Sequence, residues 1–303
     1  MIAEDDWTFA AVTIEPDKAT FYVNGETGSV SEGTHEPALW NSNVYLGGDG
    51  TAGQVSRRMN GALDNVIMYD RALSAGEIRY LAGIRSGPVA QWALDDGAGA
   101  IAADSSGNGN DGVITGEPLW VTGIVGGALE LDGVDDYVDC GNPAALDFGA
   151  GDFTISAWIQ LTTAERATVY AKGGDNGGGI RYTLAMGEAN DNKMTLTTDD
   201  DSDKMQTKGD TVVNDGEWHH VVGMREGNTG FVYVDGVLDG SLELPEGYDL
   251  SGSSQHNALI GAITDHRDPT GATLEKLFMG TIDEVAVYDR ALSDAEVAAL
   301  AGL

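Results

Sequence analysis

The sequence predicts an all-β protein, an antiparallel β-sandwich of the jelly-roll type with short helical turns at its C-terminal ends. Segments such as DFTISAWIQL, IRYTLAMGE and KMTLTTDD alternate apolar with polar residues between clusters of Gly, Asn and Asp, as antiparallel strands and their turns do. Helical patterns occur only as AGEIRYLAG and DAEVAALAG, where a serine and a glutamate have the spacing of a capping box. Short strands at regular spacing with glycine-rich turns are typical of sandwiches and jelly rolls.

Composition limits the classes of function. Of 303 residues, 42% are hydrophobic, which is enough for a sizeable core. Sixteen basic and 49 acidic residues give a net charge of −33, whose field repels phosphate backbones, so nucleic-acid binding is excluded. No apolar run is long enough to cross a bilayer, so we expect no membrane insertion. The acidity suits cation binding or a saline environment.

The single cysteine, Cys140, excludes an intrachain disulfide and a multi-cysteine metal site. It ends the alternating stretch DDYVDCGN, where we expect a small buried side chain. The first residues lack the basic start and apolar run of a signal peptide.

The chain contains one domain type twice, and the first copy is incomplete. Residues 61–74 (GALDNVIMYDRALS) and 280–293 (GTIDEVAVYDRALS) are identical at nine of 14 positions. Upstream, WTFAAVTI corresponds to WHHVVGM, TFYVNGE to FVYVDGV, and NVYLGGD to NALIGAI. The second copy has about 130 residues before its Trp218, whereas the first has six before the matching tryptophan. We therefore expect 1–84 to be the C-terminal half of a sandwich and 85–303 to be a complete one.

A half-sandwich leaves one inner face bare and strand edges unpaired. We expect it to be completed across a subunit interface in a homo-oligomer. The alternatives are packing against the complete domain and completion by further residues of a longer chain.

Six motifs follow one another in the second copy: WALDDGAGAIAADSSGNGNDGVI, ALELDGVDDYVDCGN, FTISAWIQL, EWHHVVGM, FVYVDGV and GTIDEVAVYDRALS. In this order they resemble the laminin-G-like jelly-roll domain of the concanavalin A-like superfamily, over all of 85–303 and, for the matching half, over 7–84. The resemblance implies an extracellular or cell-surface sandwich of two curved antiparallel sheets, often with calcium, and usually a binding or adhesion module. Fold alone does not settle function.

A first candidate calcium site is the acidic, glycine-spaced stretch 104–111. Its side-chain oxygens alternate with glycines, so a tight loop could wrap a hard cation that needs six to eight oxygen ligands. The candidate ligands are Asp104, Ser106, Asn108, Asn110 and Asp111. The alternative is that these side chains satisfy their own backbone in glycine turns.

A second candidate is the last strand, TIDEVAVY. Strict alternation would place Asp283 on the apolar face with Val285 and Val287, and Ile282 on the other face. Asp64 takes the matching position in the first copy. A carboxylate on an apolar face must be paired, hydrogen-bonded or metal-bound, because burying it alone costs several kcal/mol.

This strand also resembles the last strand of laminarinase-type glycoside hydrolases, in which the matching aspartate holds a structural calcium against the first strand. The resemblance makes Asp95, in AQWALDD, the companion ligand here. The alternative is a carboxylate bonded to backbone amides or to a nearby arginine such as Arg290.

A third candidate is the loop after NALIG, which contains Asp265 and Asp268. Pentraxins, a more distant resemblance, place acidic calcium ligands just after such a step. Ile263 stands where one of these ligands is required, and the first copy offers Asp49 alone, so a double calcium site is not expected.

For carbohydrate, the strand FTISAWIQL places Trp158 among Thr, Ser and Gln side chains on one face and five apolar side chains on the other. A sugar ring needs a stacking plane flanked by hydrogen-bonding groups. Trp120 and Tyr182 are candidates for the same face. The alternative is a tryptophan covered by a loop.

Catalysis finds little support, because the E-x-D-x-x-E acid pattern of laminarinase-type enzymes and the HExxH signature are absent. We therefore expect a secreted, non-catalytic module that recognises glycans or glycosylated protein surfaces, with structural calcium. The alternatives are an adhesion or assembly module without a sugar site and, third, a polysaccharide hydrolase or lyase.

Overall fold

The computed structural model describes residues 7–15, 17–24, 26–32, 46, 62–64, 66–69, 72, 73, 78 and 87–302, the last range with gaps at 176–178, 188–190, 252–255 and 269. The chain divides into two compact units, Met1–Gly87 and Pro88–Leu303. The expected boundary between residues 84 and 85 lies outside the described residues, as do Asp49 and the first capped helix apart from Ile78. Within the described ranges, no helix combines the length and apolarity needed to span a membrane.

Unit 1 contains an antiparallel sheet of β1 (Ala10–Ile14), β2 (Lys18–Val23) and β3 (Glu26–Glu32), in that order. One face of the sheet is covered. On it, Tyr22 packs with Leu73 and Ile78 in a small apolar cluster. On the other face Val12 and Phe21, which are register partners, are exposed.

Unit 2 is built of short strands, a 3-10 turn (Ala144–Leu146) and a C-terminal helix (Asp294–Ala301). In chain order the strands are β4 (Ala90–Trp92), β5 (Ile101–Ala102), β6 (Gly112–Thr115), β7 (Leu119–Thr122), β8 (Gly127–Asp132), β9 (Tyr137–Asp139), β10 (Phe153–Gln160), β11 (Ala167–Lys172), β12 (Gly174–Asp175), β13 (Arg181–Met186), β14 (Lys193–Asp199), β15 (Lys204–Val212), β16 (Trp218–Glu226), β17 (Thr229–Val234), β18 (Val237–Glu243), β19 (Ala258–Ile260), β20 (Ile263–Asp265), β21 (Leu274–Glu275) and β22 (Met279–Tyr288).

These strands form two large antiparallel sheets. Sheet I has the order β18-β17-β16-β10-β22-β8-β7, with β4 also paired to β22. Sheet II has the order β15-β14-β13-β11-β19-β9-β6-β5. A small third sheet, β12-β20-β21, contains a parallel pair between β12 and β20. The predicted all-β antiparallel sandwich is confirmed.

The core lies between the inner faces of the two large sheets, where side chains from both interdigitate. The alternation predicted for β10 holds, because its five apolar side chains all lie in this core: Phe153, Ile155, Ala157, Ile159 and Leu161. Cys140 is buried in the same core, as expected.

The C-terminal helix covers part of the outer face of sheet I. The predicted capping box is present: the Ser293 hydroxyl accepts from the Glu296 amide, and the Glu296 carboxylate accepts from the Ser293 amide. Val297 of this helix packs on Val222 and Tyr288 of the sheet. This part of the outer face is therefore closed to ligands.

The predicted alternation along β22 is wrong at one point. Asp283 pairs with Trp158, and Ala286 pairs with Ser156, so β22 has one residue more than β10 between these pairs. Glu284 takes up the extra residue as a β-bulge with a left-handed backbone (φ +49°). Asp283 therefore lies on the outer side with Trp158, whereas the core side carries Ile282, Val285 and Val287.

Candidate functional site

Asp283 is fully buried (0% exposed) although it lies outside the core, because the turn between β7 and β8 covers it. Its Oδ2 accepts hydrogen bonds from the amides of Ile124 (2.8 Å) and Val125 (3.1 Å). Its Oδ1 accepts from the amide of Glu284 (2.7 Å). The bulge at Glu284 thus points the carboxylate at the turn, and three amide donors hold it there.

Asp95 reaches the same turn from the other side, since its Oδ1 accepts from the amide of Gly127 (2.5 Å). Two glycines make room for the carboxylates. A Cβ at Gly123 would overlap Asp283, and a Cβ at Gly126, whose φ is +61°, would overlap Asp95. The pairing of Asp283 with Asp95 that the resemblance implies is therefore matched by two carboxylates on one turn.

A third carboxylate, Glu284, completes an acidic group that we call the turn cluster: Asp95, Asp283 and Glu284. Burial raises the pKa of Asp283, and the negative charge of Asp95 raises it further, whereas the three amide donors lower it. Burial also raises the pKa of Glu284, with further contributions from both aspartates, although the Gln91 amide group donates to it. No described basic side chain lowers either pKa.

The turn cluster offers oxygen ligands, which calcium prefers. Asp283 accepts amide donors on both oxygens, which is the non-metal alternative stated above. Its Oδ1 keeps a lone pair, and so do the carboxylates of Asp95 and Glu284, each of which accepts a single hydrogen bond among the described residues. The donor set is thus compatible with a cation at the edge of the turn.

The 104–111 loop has the geometry of the turn alternative. Asp104 accepts from the amides of Gln91, Ser106 and Asn110, and Asp111 accepts from the amide of Asp104. Burial acts against ionisation, but these hydrogen bonds keep the pKa of Asp104 below its ordinary value. In the same loop, the Asn108 amide group donates to Val89. These side chains hold the loop on β4, and calcium here stays a prediction.

Asp265 and Asp268 both have protein partners. The Arg267 guanidinium forms a two-point contact with Asp265 and holds the pKa of that carboxyl at about 2. Asp268 accepts from the hydroxyls and amides of Thr270 and Thr273, which lowers its pKa further still. Both carboxylates stabilise the β20–β21 hairpin. Asp64, the counterpart of Asp283, is exposed.

The sequence analysis did not identify one further acidic group, Asp132, Asp135 and Asp136, whose ligand atoms lie within 4.8 Å of one another. Asp136 is buried, and its two oxygens accept from the amides of Glu117 and Asp132. The motif DGVDDYVD contains this group, but it was used only as a family signal.

The three aromatic residues expected to bind sugar do not share an exposed face. Trp158 is only 8% exposed and lies against the ring of His220, at 5.3 Å between centroids. Tyr182 is 4% exposed in the core and donates from its hydroxyl to the Leu146 carbonyl, so its expected surface position is wrong. Tyr182 lies on the inner face of β13. Neighbouring residues of a strand point to opposite faces, and Thr183 points outward. Trp120 is half-buried and packs against the core.

A buried polar layer, with each member at most 2% exposed, lies on the outer face of sheet II. We call it the threonine band; it consists of Thr168, Thr183, Thr195 and Thr197. Thr168 and Thr195 are both in register with Ala185, and Thr183 is in register with Thr197, so the four share one face. The hydroxyls of Thr168, Thr183 and Thr195 are buried and have no hydrogen-bond partner within the described part of the chain.

Two cationic side chains beside the threonine band pair with the same carboxylate, Asp175. Arg181 forms ion pairs with Asp175 and with Asp199. Lys276, whose carbonyl accepts from the Thr168 amide, also pairs with Asp175. Burial lowers the pKa of Lys276 to about 7, and the nearby charge of Arg166 contributes.

Basic residues are concentrated around this face. Residues 88–303 contain ten lysines and arginines, and none of them precedes residue 166. Eight of the ten lie in 166–208 or 263–276, the strands of sheet II and the hairpin beside it. Sheet II and the hairpin beside it thus carry most of the basic side chains of a strongly acidic unit.

The family comparison matches residues 1–79 and 132–298 to the Laminin_G_3 model, described as the concanavalin A-like lectin/glucanases superfamily. The chain belongs to this superfamily. The resemblance drawn from the six motifs is confirmed. A comparison with curated proteins gives no match.

Three solved structures illustrate the similarity of fold. The binding domain of Paraclostridial Mosquitocidal Protein 1 is 16% identical (TM-score 0.57), and the match covers 71% of this chain and 52% of that one. Domain 4 of AbnA, an extracellular arabinanase from Geobacillus stearothermophilus, was solved with arabinotriose; it is 21% identical (TM-score 0.54), with 71% and 98% covered. The Botulinum Neurotoxin serotype G binding domain is 13% identical (TM-score 0.53), with 71% and 50% covered. The chain spans about half the length of these toxin binding domains, and identities this low show the fold alone.

Proposed function

We propose that unit 2 is a non-catalytic module of the extracellular space that binds carbohydrate on the outer face of sheet II. The observation that carries this proposal is the threonine band, in which three buried hydroxyls have no hydrogen-bond partner among the described residues. A buried polar group without a partner costs about 1–3 kcal/mol. Sugar hydroxyls both donate and accept, so a glycan that displaces the groups covering the band would satisfy all three.

The four threonines are each at most 2% exposed, and the face that they share reaches solvent at the edge strand β15. Gln206, in register with Thr197, is half-buried, and Lys208, in register with Thr195, is exposed. A glycan would bind from this edge and displace the groups that cover β14 and β13. The outer face of sheet I is covered as well, in part by the C-terminal helix and the β7–β8 turn.

The carboxylates beside the threonine band favour binding without catalysis. Glycoside hydrolysis needs two carboxyl groups about 5–10 Å apart, one of them available as an acid. The neighbouring carboxylates, Asp175 and Asp199, are both engaged by Arg181. The solved complex of AbnA domain 4 with arabinotriose is a protein of this fold that holds a sugar, which favours carbohydrate over other ligands.

Structural calcium at the turn cluster belongs to the same proposal. Three carboxylates around one turn repel one another, as the raised pKa values of Asp283 and Glu284 reflect. A divalent cation would remove this repulsion and fix the turn over Trp158.

The test is affinity gel electrophoresis of the full chain through a panel of neutral and acidic polysaccharides, followed by Thr183→Val and Thr195→Val. Valine keeps the shape and β-propensity of threonine and removes only the hydroxyl. We expect each variant to weaken retardation at least tenfold while its thermal midpoint stays equal or rises. The matched control is Thr229→Val in sheet I, which should bind as the wild type does. Retardation by no polysaccharide, or retardation unchanged in both variants, would contradict the proposal.

A further inference from the structure

Lys172, the last residue of β11, is the one lysine that is buried among the described residues, at 1% exposure. Its amine contacts two side chains of the segment that follows β9. The amine donates a hydrogen bond to Asn142 Oδ1, and it forms an ion pair with Asp147 Oδ1 at 3.2 Å. A buried charge requires a counter-ion, which Asp147 supplies. The amine thus touches a carboxamide and a carboxylate at the same time.

The backbone of sheet II holds these side chains together. Ala258 of β19 is in register with Lys172, and the Ala258 amide donates to the carbonyl of Gly141, the residue before Asn142. The 3-10 turn that follows Asn142 then leads directly to Asp147. The contact between amine, carboxamide and carboxylate is therefore built on paired strands and a hydrogen-bonded turn.

An amine held against a carboxamide can replace its nitrogen when a neighbouring group carries the protons. We propose that Lys172 and Asn142 are joined by an amide cross-link, with Asp147 as the proton carrier. Asp147 takes a proton from the ammonium, and the neutral amine then attacks Asn142 Cγ. The Nζ–Cγ bond forms and the Cγ–Nδ2 bond breaks.

The protons of this step balance within the three side chains. The departing Nδ2 receives one proton from the attacking nitrogen and leaves as ammonia. The proton held by Asp147 leaves with it as ammonium, which restores the carboxylate. The step is a condensation, so it needs no oxidant, reductant or further reactant.

The contacts favour this reaction over the ordinary inertness of a side-chain amide. Oδ1 is bonded to Cγ, so the amine that donates to Oδ1 already lies next to the carbon that it attacks. Groups held at about 3–3.5 Å in a folded protein react far faster than the same groups free in solution. Burial of Lys172 also keeps water from competing for the amine.

The cross-link joins positions 30 residues apart in the sequence. The closed loop contains all of β10, a central strand of sheet I, whereas Lys172 belongs to sheet II. The bond therefore ties the two sheets of unit 2 together. It takes the place of a disulfide, which the single cysteine of the chain excludes.

Intact-mass spectrometry of the purified full chain tests this proposal. The chain should weigh about 17 Da less than its sequence requires, because one ammonia is lost. Trypsin does not cleave after an acylated lysine, and residues 88–165 contain no lysine or arginine. Digestion should therefore yield residues 86–166 joined to 167–181, and fragmentation of this product should place the bond between Asn142 and Lys172.

Two variants should keep the full mass. Lys172→Arg lacks the nucleophile, because a guanidinium stays protonated, and Asp147→Asn lacks the proton carrier. The matched control is Asp210→Asn, which removes the carboxylate paired with Lys193 and should lose ammonia as the wild type does. Without the cross-link, the thermal midpoint of Asp147→Asn should fall by roughly 10 °C, whereas the control should melt as the wild type does.

A wild-type chain of full mass would overturn the proposal. The same mass loss in Lys172→Arg would also overturn it, because the ammonia would then come from cyclisation of an asparagine with the backbone. The mass of the wild type needs no variant that folds, and it is independent of glycan binding.

Discussion

Replacing Asp283 with alanine removes the acceptor of three backbone N–H groups, those of Ile124, Val125 and Glu284. Each buried donor left without a partner costs about 1–3 kcal/mol. The loss of one carboxylate also relieves repulsion with Asp95, which offsets part of this cost. The expected net loss for unit 2 is therefore at least about 2 kcal/mol.

The assay is urea unfolding in the presence of a chelator, followed by the fluorescence of the buried Trp92 and Trp158 and by circular dichroism. Asp283→Asn is the conservative comparison. Its amide oxygen can still accept from Ile124 and Val125 while its NH2 group opposes the Glu284 amide, so it should lose about 1 kcal/mol. A loss below about 1 kcal/mol in Asp283→Ala would refute the reasoning, because the three amides would then have other partners.

Calcium adds a second arm to this experiment. A ligand that binds only the folded state stabilises it by about 2.7 kcal/mol at a hundredfold excess over its dissociation constant. The wild type should gain this stability with calcium, and both Asp283 variants should not. A wild-type unfolding midpoint that is identical with calcium and with chelator would contradict calcium binding. It would leave the prediction for the three amide hydrogen bonds of Asp283 unchanged.

Three further predictions follow from the same structure. Gly126→Ala should cost at least 2 kcal/mol more than Gly107→Ala in urea unfolding, because both glycines have positive φ but only the first new Cβ meets a carboxylate, that of Asp95. Burial lowers the pKa of His220 to about 4 in the folded state. The stability that the neutral ring contributes is therefore present above pH 6.5 and is lost as the pH falls toward 4. In His220→Gln the fall in unfolding free energy between these pH values should be about 2–3 kcal/mol smaller. The thermal midpoint should rise between 0.1 and 1 M NaCl without divalent cations, since screening weakens repulsion in a chain of net charge −33; a flat midpoint would assign the acidity another role.

The sequence predicted the fold well because alternation and turn residues are local signals. The strand β10 illustrates this, since all five of its apolar residues lie in the core. The same rule failed on β22, where a one-residue bulge at Glu284 reverses the faces. A bulge at a glutamate has no signal in a single sequence, because it depends on which strands are neighbours and on the turn that receives Asp283.

The candidate site was predicted less well, for reasons that lie in packing. Trp158 was placed correctly on the outer face, but it is only 8% exposed and lies against His220, a burial that depends on tertiary contacts. Asp95 and Asp283 meet at that turn across 188 residues of sequence, and only the family resemblance related them. The threonine band was overlooked because each threonine is an ordinary strand residue, and only the register of β11, β13 and β14 brings the hydroxyls together.

The pairing of the first strand of unit 2 with the last has a consequence during synthesis. The strand β4 bonds to β22, and the contact between Gln91 and Glu284 spans 193 residues. At 5–20 residues per second, a ribosome needs roughly 10–40 s to supply the partner strand. Trp92 and the other apolar residues of the early strands stay unprotected for that interval, because a fold dominated by distant contacts cannot close sooner. Residues 88–165 carry no lysine or arginine, so every charged side chain of the waiting segment is acidic, and repulsion between nascent chains opposes aggregation until β22 emerges.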